Sequence, residues 1–146
     1  MGVNDIGHAI ASICKGISGV SMVCEFLPSS ISQTPCFLIV PKSGEQPKPP
    51  PPSQKLYTHD FCMDLYFSNG GDLTSVDAVM RPFVDLVQDT FNQHKQLKSP
   101  DTGLTTCFDS YITEYSYGVK FNYAGVDYLG IRFTLSALEY GPYQYN

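Results

Sequence analysis

The chain has 146 residues, of which 42% are hydrophobic and 16% charged, a composition typical of a globular domain and not of a disordered chain. Its net charge is −5 with only nine Lys and Arg, so it lacks the electrostatic attraction that drives most nucleic-acid binding. These values argue against a nucleic-acid-binding protein and predict one folded domain over residues 1–146 whose surface repels DNA.

The cysteines are odd in number and follow no metal-site spacing. They are Cys14, Cys24, Cys36, Cys62 and Cys107. Without a CxxC pair or a matching histidine, the pattern favours free, buried thiols over a disulfide framework or a zinc site. No leader segment and no apolar run of membrane-spanning length is apparent, so we expect a soluble protein with no membrane contact.

The first predicted element is an amphipathic helix that starts near Ile6. Its apolar residues recur at helical spacing as far as Ile17, which places them on one face. Asn4 is the expected N-cap, and Gly16 and Gly19 are expected to end the helix with positive φ.

Two β-prone stretches follow the first helix. The first runs from Val20 to Leu27, and the second, from Cys36 to Val40, is apolar throughout. An unbroken apolar run predicts a strand buried on both faces, and Pro41 is expected to end it.

A proline-rich segment from Lys42 to Lys55 offers almost no apolar side chain to a core and is predicted to be a loop or arm. Its four consecutive prolines are Pro49, Pro50, Pro51 and Pro52. Such a run suits docking into an aromatic groove and also suits a stiff spacer, and both interpretations stay open.

A strand with period two and a second helix are predicted next. Apolar residues alternate from Tyr57 to Phe67, which indicates one buried face. The helix is placed at about residues 75–94, with Thr74 and Asp77 in capping-box relation. Pro82 predicts either a kink or a helix that begins near it.

The remaining sequence predicts a long antiparallel hairpin. The first strand runs from Phe108 to Tyr123 with a bulge at Gly118, and the turn at 124–125 leads into a strand that ends near Leu138. The tail from Tyr140 is expected to lie over a surface. Tyrosines of the hairpin and tail are predicted partner contacts, namely Tyr123, Tyr128, Tyr143 and Tyr145.

Together these elements predict an α+β fold. The expected architecture is a mixed or antiparallel sheet with two amphipathic helices packed on one face and a long C-terminal β-hairpin.

The search for catalytic, cofactor and metal sites predicts none. Gly70 and Gly71 lack the context of a phosphate-binding loop. In a strand, His59 and Cys62 point to opposite faces, so they cannot form a Cys–His pair, and His59 is expected to be a hydrogen-bonded structural residue. Asp60 and Asp64 would lie ~13 Å apart along the strand, too far for paired carboxylate catalysis.

Several stretches resemble the tail terminator, or tail completion, proteins of long-tailed bacteriophages. They are the segment from Gly19 through Leu27-Pro28-Ser29 to Pro41, the strand from Phe61 to Phe67, the helix opening at Asp72-Leu-Thr74 with Pro82, and the hairpin from Val119 to Phe133. The proline arm and the tyrosine-rich tail depart from this pattern.

The resemblance implies a mechanical role in the virion and no chemistry. Such proteins form a ring, typically a homohexamer, that caps the tail tube protein and joins it to the head–tail connector protein. Genomic DNA passes through the ring without specific binding, and assembly takes place in the host cytoplasm. Alternatives are another neck or tail-tube component, a small cytosolic thiol hydrolase, or a monomeric peptide-binding module.

Overall fold

Two helices and five strands make up the computed structural model, which describes residues 2–45 and 55–141. In chain order they are α1 (Val3–Lys15), β1 (Met22–Cys24), β2 (Cys36–Glu45), β3 (Lys55–Ser68), α2 (Leu73–Asn92), β4 (Asp109–Tyr123) and β5 (Val126–Gly141). The sheet order is β1-β2-β3-β5-β4. β1 is parallel to β2 and every other pair is antiparallel. The predicted α+β class is confirmed.

Helix α1 buries the predicted apolar stripe, but its ends differ from the prediction. Gly2 is the N-cap instead of Asn4, and its N–H donates to the Asp5 carboxylate at 3.1 Å. Gly16 does end the helix, although with an ordinary negative φ. Of the two glycines, only Gly19 has a positive φ. The Asp5 carboxylate thus bonds the N-cap backbone and places a negative charge in the first turn, where the helix dipole favours it, while the N-cap glycine has no capping side chain.

The central strands β2 and β3 extend further than predicted. Pro41 does not end β2, because the strand continues to Glu45 across a register shift between Pro41 and Ser43. β3 already begins at Lys55. The ends of the proposed arm are therefore strand, which corrects the predicted loop at 42–55, and Pro49, Pro50, Pro51 and Pro52 lie outside the described residues.

Helix α2 runs unbroken from Leu73 to Asn92 with Pro82 inside it, so the alternative of a helix that begins near Pro82 is wrong. The predicted capping box is also wrong, because Asp72 is the N-cap and its side chain accepts from the N–H of Thr74 at 3.2 Å. A proline is tolerated here because the apolar face of the helix is anchored on the sheet.

The C-terminal hairpin is confirmed, with a turn in which Ala124 and Gly125 both have positive φ, as a type I′ hairpin turn requires. The predicted bulge at Gly118 is confirmed by its φ of +71° and a register shift between Tyr117 and Val119. Tyr140 and Gly141 continue β5 and pair with β3, which corrects the predicted start of the tail. Tyr143 and Tyr145 lie outside the described residues.

The sheet has two faces of different construction. On the helix face, buried residues of α1 and α2 pack with alternate residues of the central strands, among them Phe37, Met63 and Phe133. On the opposite face a smaller cluster includes Tyr66, Phe121 and other buried side chains, with Ile31 of the segment after β1 packed against it. Both helices therefore lie on one face, as predicted.

Candidate functional site

The most exposed regular element of the described structure is strand β4. It lies at the end of the sheet, and within residues 2–45 and 55–141 it pairs only with β5. Residues 113–118 are all exposed. Three of its tyrosines are exposed: Tyr111, Tyr115 and Tyr117 have 43%, 46% and 37% of their surface accessible to solvent. We call Tyr111, Glu114, Tyr115 and Tyr117 the β4 rim.

Strand register shows which face each rim residue occupies. Tyr115 and Tyr117 stand opposite Phe133 and Ile131, so they lie on the helix face, whereas Glu114 stands opposite Thr134 on the other face. The switch follows from the bulge between Ile112 and Glu114. Tyr111 stands opposite Ser136, on the same face as Glu114. The rim thus offers Tyr115 and Tyr117 on the helix face, and Tyr111 with a carboxylate on the other face.

Tyr117 fastens the rim to α2. Its hydroxyl donates a short hydrogen bond to the carboxylate of Asp77, which also accepts from Arg81 at 2.7 Å. The hydrogen bond from Tyr117 is the main reason that the pKa of Asp77 is lowered, and burial raises the pKa of Tyr117. The charge of Asp77 is therefore balanced by Arg81, and α2 is tied to the edge strand.

The backbone of β4 is poorly suited to long strand pairing. Register shifts interrupt it between Ile112 and Glu114 and again between Tyr117 and Val119, and bulges of this kind protect a sheet edge from indiscriminate pairing. Contacts at this edge are therefore expected to depend more on the tyrosine side chains than on a continuous backbone ladder.

Two of the tyrosines predicted to contact partners lie against the opposite face of the sheet instead of on the rim. Tyr128 is buried and meets Tyr66 edge to face, with ring centroids 5.4 Å apart. Tyr123 is half-buried, and its hydroxyl donates to the carbonyl of Pro28. Within the subunit, Tyr123 ties the segment after β1 to the sheet and Tyr128 packs in the aromatic cluster. Their contact with a partner stays a prediction.

His59 has the structural role that its strand position predicts. Its Nε2 lies 2.8 Å from Oε1 of the buried Glu139. Of the carboxylates considered for catalysis, Asp60 accepts from Ser136, while Asp64 receives two hydrogen bonds from Arg132 at 2.8 and 2.9 Å. Each of these groups is engaged with its own neighbour, an arrangement that favours a packing role.

The thiols do not have the character of nucleophiles. Cys14, Cys24, Cys36 and Cys107 are buried and Cys62 is half-buried, and all are free. Burial raises the pKa of Cys107 to about 11 and that of Cys36 to about 12, and it also raises the pKa of Cys14 and of Cys62. These four thiols stay protonated at neutral pH, whereas thiol catalysis requires the thiolate.

A shallow groove of about 910 Å³ lies between the C-terminal ends of the two helices and the segment after α2. Its lining includes Ser12, Gln93, Lys95 and Lys98, mostly exposed polar side chains. Buried Leu97 at its floor has a φ of +47°, and its carbonyl accepts from Thr106 at 2.5 Å. The volume would suit a small molecule, but the apolar enclosure typical of ligand sites is missing from this groove.

Within the described ranges, no group of three or more His, Cys, Asp or Glu side chains is placed to hold a metal ion.

Tyr111, Tyr115 and Tyr117 were not among the predicted contact residues, because the sequence does not show that β4 is an edge strand. Alternating tyrosines at these positions were the available signal.

Neither helix in the described part of the chain is long and apolar enough to cross a membrane. No family model matches the sequence, and no curated protein matches it either.

Proposed function

We propose that this chain is a virion structural protein that forms a ring at the head–tail junction, where it caps the tail tube and joins it to the head connector. The observation that carries this proposal is the β4 rim, a sheet edge with three exposed tyrosines. Tyrosine gives large contact areas at low entropic cost and is enriched at protein interfaces. A surface of this kind favours assembly over catalysis.

Charge supports the same role. A subunit with a net charge of −5 suits a channel through which DNA passes, because negative walls repel the phosphate backbone and prevent adhesion.

The alternatives are less well supported by the residues. A tail-tube subunit polymerises into long stacks, whereas here bulges interrupt the exposed edge strand, which favours limited assembly. A thiol hydrolase requires a reactive thiolate, and the raised pKa values of four of the cysteines oppose one.

The proposal is tested by adding purified protein to polymerising tube subunits from the same virion and measuring tube lengths by electron microscopy. We expect shorter tubes with an additional ring at one end. Val126→Ser is the control and should shorten tubes as the wild type does, because Val126 is exposed at the hairpin turn, outside the rim. Unchanged tube lengths and a monomeric mass in native mass spectrometry would contradict the proposal and favour a monomeric binding module.

A further inference from the structure

The edge of the sheet opposite β4 is also incompletely covered. β1 pairs with β2 only over Cys36–Leu38. From Ile39 onward, no strand within residues 2–45 and 55–141 pairs with that side of β2. The chain turns away after Cys24, and Phe26 and Leu27 are 72% and 64% exposed. We call Phe26, Leu27, Pro41 and Lys42 the β2 rim.

The β2 rim contains a hollow of about 90 Å³ on the helix face of the sheet. Its lining includes Val3, Gly7, Phe26, Ile39 and Pro41. Ligand pockets usually measure ~300–1,000 Å³, so this hollow is of a size to receive part of a side chain and not a separate small molecule. Its mainly apolar lining favours an aromatic or aliphatic group.

The two rims are complementary in shape and in charge. On the helix face, the β4 rim presents Tyr115, and the β2 rim presents the apolar hollow beside Phe26. On the opposite face, the β4 rim presents the exposed carboxylate of Glu114. The β2 rim carries the exposed Lys42 at the register shift between Pro41 and Ser43. Opposite charges therefore stand on the two edges.

Strand direction is compatible with joining the rims. Across the sheet, β4 runs antiparallel to β2, because three antiparallel pairings separate them. A copy rotated about an axis parallel to the strands keeps these directions, so its β2 would run antiparallel to the β4 of its neighbour. Pro41 lacks an N–H and β4 is bulged, so side chains would supply most of the contact.

We infer that the subunit contact of the ring is heterologous and joins the β4 rim of one copy to the β2 rim of the next. This inference rests on the proposed function, since it names the surfaces through which the ring closes. Each copy uses one rim of each kind, so a closed ring leaves neither rim free, whereas every open chain keeps one of each at its ends.

The test uses two variants that each lack one rim. Tyr111→Asp with Tyr115→Asp disables the β4 rim, and Phe26→Asp with Leu27→Asp disables the β2 rim. Each variant alone should be monomeric in native mass spectrometry. Their mixture should give a 1:1 dimer of twice the monomer mass and nothing larger, because one intact rim of each kind remains.

Circular dichroism and thermal melting establish that each variant is folded. If either double variant does not fold, Glu114→Lys and Lys42→Glu replace them in the same format, and each alone should weaken the ring while their mixture restores it. Val126→Ser is the control, since Val126 is exposed at the hairpin turn and belongs to neither rim.

The outcomes separate the two proposals. If the wild-type protein forms a ring and each variant alone still forms one, the rim assignment is wrong and the proposed ring stands. Monomeric variants whose mixture stays monomeric overturn the heterologous contact. A wild-type protein that is monomeric at every concentration overturns the proposed function and with it this contact.

Discussion

The two faces of the sheet are held by different physical means. The helix face is covered by α1 and α2, and its strand residues are apolar, with Phe37, Met63 and Phe133 inaccessible to solvent. On the opposite face, an aromatic cluster around Tyr66 occupies one end, while the other end carries charged and hydroxyl side chains such as Asp64.

The polar end of the opposite face is satisfied internally. Asp64, 5% exposed, is held by two hydrogen bonds from Arg132, and the guanidinium of Arg132 also lies 5.4 Å from the ring centroid of Phe121. Paired groups of this kind specify geometry more than they stabilise the fold. The helix face is therefore expected to dominate the free energy of unfolding, and the opposite face to fix strand register and shape.

The largest expected effect is Phe133→Ala on the helix face. Phe133 is fully buried beside Phe37 and Tyr115, with ring centroids 6.5 and 6.3 Å away. Removing a buried phenyl ring leaves a cavity and should lower the free energy of unfolding by about 3–5 kcal/mol, as measured by urea denaturation. A loss below about 1 kcal/mol would show that the helix layer collapses onto the gap with little cost.

Gly130→Ala tests the opposite face, where strand spacing leaves no room for a side chain. A Cβ there would stand 2.1 Å from the Leu65 carbonyl oxygen and 2.8 Å from the Phe121 ring. Because a backbone atom blocks the site, we expect a loss of about 3 kcal/mol in unfolding free energy. Gly70→Ala is the matched control with only one neighbouring atom, 3.7 Å away, and it should be nearly neutral. Equal effects at the two glycines would contradict the expected clash.

Arg132→Met tests the ion pair of the opposite face. It leaves the carboxylate of Asp64 buried without its main donor. The Arg132 side chain is 46% exposed, so water can partly replace it, and we expect a loss of about 1–2 kcal/mol, below that for a fully buried pair. Asp64→Leu combined with Arg132→Met removes both charges and should recover part of this loss. A double variant that is less stable than the single one would show that the pair stabilises the fold on its own.

Elements with strong periodicity could be predicted from the sequence. The alternation of β3 and the apolar stripe of α1 each report burial directly, because one face of the element is covered along its length. The β4–β5 turn was also predictable, since Gly125 permits the positive φ that a short hairpin turn needs.

Features that depend on the order of strands could not be predicted. Nothing in the sequence of β4 reveals that β5 lies between it and β3. The exposure of Tyr115 and the burial of Tyr128 could therefore not be predicted. Pro41 was expected to end its strand because a proline lacks an N–H, yet a bulge accommodates it. The predicted site tyrosines therefore included side chains that pack within the subunit and missed those of the rim.

The smallest expected effect lies at the polar border of the helix layer, where His8 of α1 joins two other segments. Its Nδ1 lies 2.7 Å from Glu25 and its Nε2 lies 3.2 Å from Asp101. Both nitrogens face carboxylates, so the imidazolium satisfies them best, and the hydrogen bond to Glu25 is the main cause of the raised pKa of His8.

A raised folded-state pKa contributes stability that is fully present below the unfolded value of about 6.5 and is lost as pH rises through the folded value. The melting temperature should therefore fall slightly as pH rises above about 6.5, and His8→Gln should flatten that part of the profile. The difference between the two profiles isolates His8 from the other histidines. Parallel profiles, or an NMR titration in which His8 has a pKa at or below its ordinary value, would contradict this contribution.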